Sequence, residues 1–325
     1  MKIYKIGIIG CGGIAQKMAA TLEKMKGVER YAVASRNQEK AEAFANKWGF
    51  TKAYGSYEEL ASDPEVDLIY IATPHAMHYD NAHMCIEKGK PVLCEKAFTA
   101  NARQAEDLLA FAKEKGVFIT EAIWTRYMPL SLKIQELLKE GVIGTPYTLS
   151  ANLSYPISNK ERIIRPELAG GALLDIGVYT LNFAAMAFGS DIAETHSVCQ
   201  KTQTGVDAQE SITLFYKDGR MATLQSSIYA KSDRMGVISG DKGHLIVENI
   251  NCPESVRVVD ENYKTIAVYH APEQINGYEY QVYASIEAIE KGWLESPYMP
   301  HAETLRIMKQ MDNLRKEWGV IYPCD

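Results

Sequence analysis

Residues 5–20 read KIGIIGCGGIAQKMAA, and the fold of the whole chain can be worked out from this stretch. Ile6, Ile8 and Ile9 suit a short buried strand, and Ala, Met and Leu then recur at helical spacing as far as Leu22. Between the two, Gly10, Gly12 and Ala15 follow the order G-x-G-x-x-A. In a strand-to-helix turn these small residues permit a sharp reversal, bring bare backbone close to a pyrophosphate, and let the helix pack tightly on the strand. At the start of the helix, the amides of Gly13, Ile14 and Ala15 would add donors and the positive end of the helix dipole. The glycines alone would also fit a tight turn with no ligand. The flanking strand and helix, and a second strand ending about 25 residues on, favour a dinucleotide.

At 325 residues the chain has room for about two domains and a large core. A formal net charge of −6 and the lack of long basic runs argue against nucleic acid as a partner. Six scattered cysteines without a C-x-x-C pair read as reduced thiols of a cytoplasmic protein. Lysines followed by an apolar run superficially suggest a secretory signal, but Gly10 to Gly13 interrupts the run and no cleavage site follows. No stretch reads as long and apolar enough to cross a membrane, so no membrane partner is expected.

The first third alternates strand and helix, the signature of a doubly wound parallel sheet. Strands are expected at Tyr31–Ala34, 67–72 (DLIYIA), 91–94 (PVLC) and 117–119, with helices capped by Asn37, Ser56 and Asn101. From Thr145 the pattern changes to alternating strands, with turn signals at 217–219, 240–243 and 260–262. This predicts a large, mainly antiparallel sheet carrying the helix 172–188 on one face. The fold class is therefore α/β, with a Rossmann domain over 1–123 and an α+β domain over 124–325 whose last helix, 302–318, could pack back towards the first.

Five motifs in order carry a resemblance to a known family. They are the opening G-x-G-x-x-A, IATPHAMHYDNA at 71–82, GKPVLCEKAFT at 89–99, EAIWTRYMP at 121–129 and GGALLDIGVY at 170–179. Together they resemble the glucose-fructose oxidoreductase/inositol dehydrogenase/MocA family, most like its branch of dimeric dihydrodiol dehydrogenases and NADP-dependent aldose 1-dehydrogenases. The resemblance implies NAD(P)-dependent alcohol oxidation or carbonyl reduction, and a homodimer formed through the sheet. It also implies that Thr73, Pro74 and His78 line the nicotinamide ribose and pyrophosphate, and that Glu95-Lys96 is the family's Glu-Lys-Pro motif, here with Ala97 in place of proline. That lysine serves in catalysis and cofactor contact, and Tyr179 stands where this branch carries tyrosine.

The residues can also be read directly. The second strand ends in Ala34-Ser35-Arg36, where an NAD site would place an acid to grip the ribose 2′-hydroxyl. Ser35 and Arg36 suit a 2′-phosphate instead, so NADP is expected over NAD. His75 sits in the same strand-end loop as Thr73 and faces either the cofactor or the helix start. The spacing of His75, His78 and His83 does not make a metal site. Lys96, leaving a buried strand beside Glu95, is a candidate catalytic group. Asp175 and Tyr179 lie four apart on a helix, hence on one face. A free tyrosine titrates near 10, and a neighbouring Lys96 ammonium would lower that value. Trp124, Arg126 and Tyr155 are candidates to line the substrate pocket.

The expected function is an NADP-dependent oxidoreductase of a cyclic polyol, aldose or trans-dihydrodiol, with Tyr179 moving the proton, Lys96 stabilising the oxyanion and Asp175 orienting the substrate. The alternatives are an NAD-linked polyol dehydrogenase with Lys96 as proton carrier, and a non-catalytic NADP sensor.

Overall fold

The computed structural model describes residues 2–325, which form two compact units: the chain to Ile123 with Ile275–Lys309, and Trp124–Gln274 with Gln310–Asp325. In the first, β1 (Tyr4–Ile9), β2 (Val28–Ala34), β3 (Lys52–Tyr54), β4 (Leu68–Ile71), β5 (Val92–Glu95) and β6 (Ile119–Ala122) make one sheet in the order β3-β2-β1-β4-β5-β6. Every pairing in it is parallel. The helices α1 (Gly13–Lys24), α2 (Gln38–Trp48), α3 (Tyr57–Ser62), α4 (His78–Glu87) and α5 (Ala102–Lys115) supply the crossovers. Their starts follow local chemistry: Asn37 and Asn101 accept from the amides of Lys40 and Gln104, and Ser56 with Glu59 forms a reciprocal capping box.

The sixth strand lies two to three residues beyond its predicted place. Val117 still donates to Ala112 in the helix-ending turn around Gly116, and the strand begins after it with buried Thr120 and Glu121. The second strand is longer than expected because its half-exposed start, Val28–Arg30, pairs with Tyr4–Ile6.

In the second unit come α6 (Pro129–Lys139), β7 (Pro146–Ser154), α7 (Glu161–Ile164) and α8 (Val178–Phe188). There follow β8 (Ile192–Lys201), β9 (Asp207–Tyr216), β10 (Met221–Ser227), β11 (Gly236–Gly240), β12 (Gly243–Glu248), β13 (Ser255–Asp260) and β14 (Thr265–His270). The sheet order is β14-β13-β12-β11-β7-β10-β9-β8, antiparallel except where β7 meets β10. Alternate residues such as Leu149, Ala151, Ile212, Leu214 and Leu224 are buried on the face that carries α8. The other face holds an open hollow of about 730 Å³ among Gln200, Gln209, Ser211 and Gln225.

Two expectations need correction. The run Pro166–Phe188 is long and apolar enough, by length and composition, to cross a membrane; it is mostly buried as the core helix of the second unit. The stretch 275–309, with α9 (Glu279–Glu290) and the first half of α10 (His301–Trp318), joins the first unit instead of extending the second. Asn276 donates to Thr21, Tyr4 to Glu290, and Ile119 to the Leu294 carbonyl while His301 meets the Ile119 carbonyl, so this return covers the open edge of β6.

Candidate active site

The first unit gathers its candidates at the carboxyl ends of its parallel strands, where open α/β sheets place ligands. Gly10 has φ +102°, and a Cβ there would stand 2.9 Å from the Ala72 carbonyl oxygen, so the turn itself demands glycine. Gly12 and Gly13 differ. Gly12, the cap of α1, has φ −80°, and a Cβ added there would meet nothing nearer than the Ala72 carbonyl oxygen at 4.0 Å. A Cβ at Gly13 would meet nothing within 4 Å. Among the described residues nothing requires these two to be bare. They leave open backbone at a helix N-terminus, the cradle a pyrophosphate fits. Ile14 follows in the first turn, and Ala15 is fully buried against the sheet.

At the end of β2, Ser35 is buried and accepts from the Asn37 amide, while Arg36 is exposed. Two neighbours escaped the sequence reading. Burial pushes the Tyr57 hydroxyl up, and the Arg36 guanidinium beside it pulls the other way; the Cys11 thiol is likewise raised by burial and lowered by the Lys40 ammonium. Their signal was present, since Lys40 receives the Asn37 cap and Tyr57 opens the helix capped by Ser56.

Beyond β4, the Thr73 hydroxyl accepts from Asn81 at 3.0 Å, Pro74 precedes a single 3₁₀ turn, and buried His75 lies edge-on to His78 at 5.7 Å. His78 is fully buried, with Nδ1 2.8 Å from the Ala97 carbonyl and Nε2 2.8 Å from the Thr73 carbonyl. Burial pushes this imidazole below its ordinary value, against the pull of the carbonyls, and the Lys96 ammonium lowers it further. His83 stacks flat on Phe111 instead of joining the other two histidines. Among the described residues no group of three His, Cys, Asp or Glu is placed to hold a metal.

After β5, the buried Glu95 carboxylate accepts from the Tyr70 hydroxyl and from the Lys96 amide. The Lys96–Ala97 peptide is cis, and the amide of Phe98 donates to Glu121 on β6 at 3.1 Å. Held by Glu95 at its own amide and by Glu121 at the Phe98 amide, the backbone is fixed on both sides of Lys96.

In the second unit, a π-helical turn over Leu173–Gly177 leads into α8, so Asp175 and Tyr179 do not share a plain α-helical face as expected. Trp124 donates its indole N–H to the Tyr179 oxygen at 2.9 Å, and Arg126 donates to Asn182 at 2.5 Å. Tyr155 reaches Asn251 at 3.3 Å, and the Thr125 hydroxyl donates to the Asn251 carbonyl at 2.7 Å. Asp175 is buried and held by both terminal nitrogens of Arg162, at 2.7 and 3.4 Å. Arg162 and Asn251 were missed because their partners lie 13 and 96 residues away.

Beneath this turn, Asp207 accepts from the Leu173 amide at 2.5 Å, and the Tyr322 hydroxyl donates to the Gly170 carbonyl at 2.6 Å. Burial pushes the Asp207 carboxyl up to about 6 and raises Glu210 well above the usual carboxylate range.

Comparison with known proteins fits this arrangement. Residues 4–122 match the profile of the Gfo/Idh/MocA oxidoreductase family, NAD-binding Rossmann fold, and residues 131–246 match the Gfo/Idh/MocA C-terminal domain. The chain is 36% identical over 330 residues to trans-1,2-dihydrobenzene-1,2-diol dehydrogenase of Xenopus tropicalis, covering 98% of this chain and 99% of the relative. It is 34% identical to the human protein of the same name, covering 98% of each. A 3-ketoreductase from Actinomadura kijaniata, solved with NADP and TDP-benzene, superposes with a TM-score of 0.87 at 25% identity over 96% of this chain and 97% of that one. An aldose-aldose oxidoreductase from Caulobacter crescentus shares the fold, with a TM-score of 0.88 at 20% identity over 98% of both chains. The chain belongs to the Gfo/Idh/MocA family of oxidoreductases.

Proposed function

We propose that the protein is an NADP-dependent oxidoreductase that moves hydride between the nicotinamide and a CH–OH carbon of a trans-dihydrodiol, cyclic polyol or aldose. The observation that carries this reading is the glycine turn, whose open backbone at Gly12 and Gly13 answers to a ligand and not to the protein's own packing. Full-length similarity to diol dehydrogenases supports the substrate class, and the ketoreductase solved with NADP supports the cofactor. When bound, the dinucleotide supplies the hydride chemistry.

The chain's own residues do the rest. The α1 amides hold the pyrophosphate, and Ser35 and Arg36 hold the 2′-phosphate. Lys96 stabilises negative charge developing on the substrate oxygen. Tyr179 moves the hydroxyl proton, and its oxygen accepts from the Trp124 indole, which fixes where the hydroxyl lies. Asp175, clamped by Arg162, orients and does not act as the base. Trp124, Arg126 and Tyr155 shape the substrate side.

The test is a screen of trans-1,2-dihydrobenzene-1,2-diol, aldoses and inositols with NADP and NAD, read at the nicotinamide absorbance. Turnover of at least one class with preference for NADP is expected. Binding of NADP without turnover of any class would move the reading to a sensor. The protein further acts as a cytoplasmic homodimer through the open face of its second sheet, a reading supported by the exposed Val198, Phe215 and Val268 there and by six free cysteines. Light scattering at micromolar concentration should give twice the chain mass, and a monomer throughout would overturn it.

A further inference from the structure

His78 ends up in a place the dinucleotide reading did not foresee. It is sealed from solvent, and each of its ring nitrogens stands 2.8 Å from a backbone carbonyl. One carbonyl is that of Thr73, in the loop leaving β4; the other is that of Ala97, next to Lys96 in the loop leaving β5. With both nitrogens directed at protein carbonyls, the ring has no polar atom left for a cofactor. What it does have is a fixed length. The ring spans two loops that emerge from neighbouring strands, and those strands pair in register only as far as Ile71 and Cys94. Past that point no ladder ties the loops together, and the ring stands between them; as a neutral imidazole it has one N–H to donate to one of the two carbonyls.

The other restraints on the 95–98 segment act from elsewhere. Glu95 accepts from Tyr70 and from the Lys96 amide, Cys94 lies near the Phe98 carbonyl, and Glu121 receives the Phe98 amide. All of these hold the segment from its strand side or its far end. His78 instead grips the carbonyl of the residue that directly follows Lys96.

We propose that His78 is a positioning residue that sets the aim of Lys96 by donating from Nδ1 to the Ala97 carbonyl, and does not itself bind the cofactor. This rests on the reading of Lys96 as a catalytic group. It assigns His78 a role through Lys96, so removing the ring costs turnover only while Lys96 is present. A misplacement of about 1 Å at a reacting group can cost about 100-fold in rate.

The experiment is a double-mutant cycle on the full chain, with trans-1,2-dihydrobenzene-1,2-diol and NADP as probes. His78→Phe keeps the ring's bulk and removes its N–H donor; it should lower kcat about 10- to 100-fold and leave KM for the diol and the NADPH dissociation constant, read by fluorescence, within about threefold. His78→Gln, which retains two N–H donors, should recover most of that loss. In the Lys96→Met background, His78→Phe should cost less than about twofold, because nothing is left to aim.

If His78→Phe does not fold, His78→Gln in both backgrounds carries the same cycle. Losses that multiply in the double mutant, or a His78→Phe enzyme weakened mainly in NADPH binding, would overturn the positioning role. So would wild-type kcat in His78→Phe beside an impaired Lys96→Met. Full turnover by Lys96→Met itself would sink the underlying reading of Lys96 and this proposal with it.

Discussion

Gly12 and Gly13 in the first unit could each carry a methyl group with no described atom nearer than 4.0 Å, whereas Gly171 and Gly177 in the second could not without a clash. Gly171 has φ +123°, and its Cβ would fall 2.2 Å from an Asp207 carboxylate oxygen; at Gly177 the Cβ would fall 2.6 Å from Glu210. Both stretches look alike in sequence, as small residues leading into an apolar helix. The first is bare to admit something from outside. The second is bare because two buried acids occupy the space, which lets the π-helical turn lie directly on the sheet and present Asp175 and Tyr179. A glycine motif thus means a ligand only where the protein leaves the vacated space unfilled.

That difference can be tested, starting from what the second motif presents. Tyr179→Phe should lower turnover about 100- to 10,000-fold while NADP affinity stays near wild type, with a stability loss of about 1 to 3 kcal/mol because the Trp124 indole loses this acceptor. Steady-state kinetics beside thermal melts decide it, and turnover within a few-fold of wild type would move the proton to another group. Next in size, Gly171→Ala should destabilise the fold by about 2 to 4 kcal/mol through left-handed strain and overpacking on Asp207. Gly12→Ala should cost under about 1 kcal/mol of stability and weaken NADP about 10- to 100-fold, a methyl now meeting the pyrophosphate. Urea melts and cofactor titrations of the pair should show opposite profiles, and a Gly12→Ala protein that melts like Gly171→Ala would erase the contrast.

Smaller effects sharpen it further. Arg36→Ala should remove a charge-assisted contact worth about 1.5 to 3 kcal/mol, weakening NADP and sparing NAD. Equal losses for both cofactors would show that Arg36 does not read the 2′-phosphate. Asp207 should give the smallest change. Its folded value of about 6 lies above the ordinary 3.8, so the proton it holds favours the fold below about pH 4, and this contribution is lost as pH rises through about 6. Asp207→Asn keeps an acceptor for the Leu173 amide and cannot ionise. It should therefore be more stable than wild type by about 1 to 2 kcal/mol at pH 7.5, with the gap closing near pH 4. A gap that does not change with pH would mean that Asp207 titrates alike in the folded and unfolded states, its burial notwithstanding.

Local chemistry made part of this molecule legible. The strand Tyr4–Ile9, the glycine turn, the caps at Asn37, Ser56 and Asn101 and the turns at 217–219, 240–243 and 260–262 all follow from neighbours within a few residues. β3 was not delimited because Lys52, Ala53 and Tyr54 are all half-buried and show no alternation, and β6 slid because Thr120 and Glu121 are polar yet buried. Lys96, Asp175 and Tyr179 could be picked out as chemistry-bearing residues at motif positions. Their surroundings could not, since the Trp124–Tyr179 contact spans 55 residues and depends on packing that no periodicity encodes. His78 was visible as a histidine in the right loop, but that each of its nitrogens faces a backbone carbonyl is a fact of tertiary structure.

The allegiance of α10, divided after Lys309, has a consequence for how the protein is made. Domains emerging from a ribosome usually fold in order, the earlier before the later. Here the nucleotide-binding unit is opened first and closed late, because Ile275–Lys309 is translated only after the great sheet of the other unit. Until then β6 waits with its edge uncovered, and a nascent chain halted near residue 270 holds a finished set of strands in each unit but neither unit whole. A gene cut at codon 123 would yield a fragment lacking the cover for that edge, so recombining this fold with a relative requires exchanging two separate pieces of coding sequence and not one.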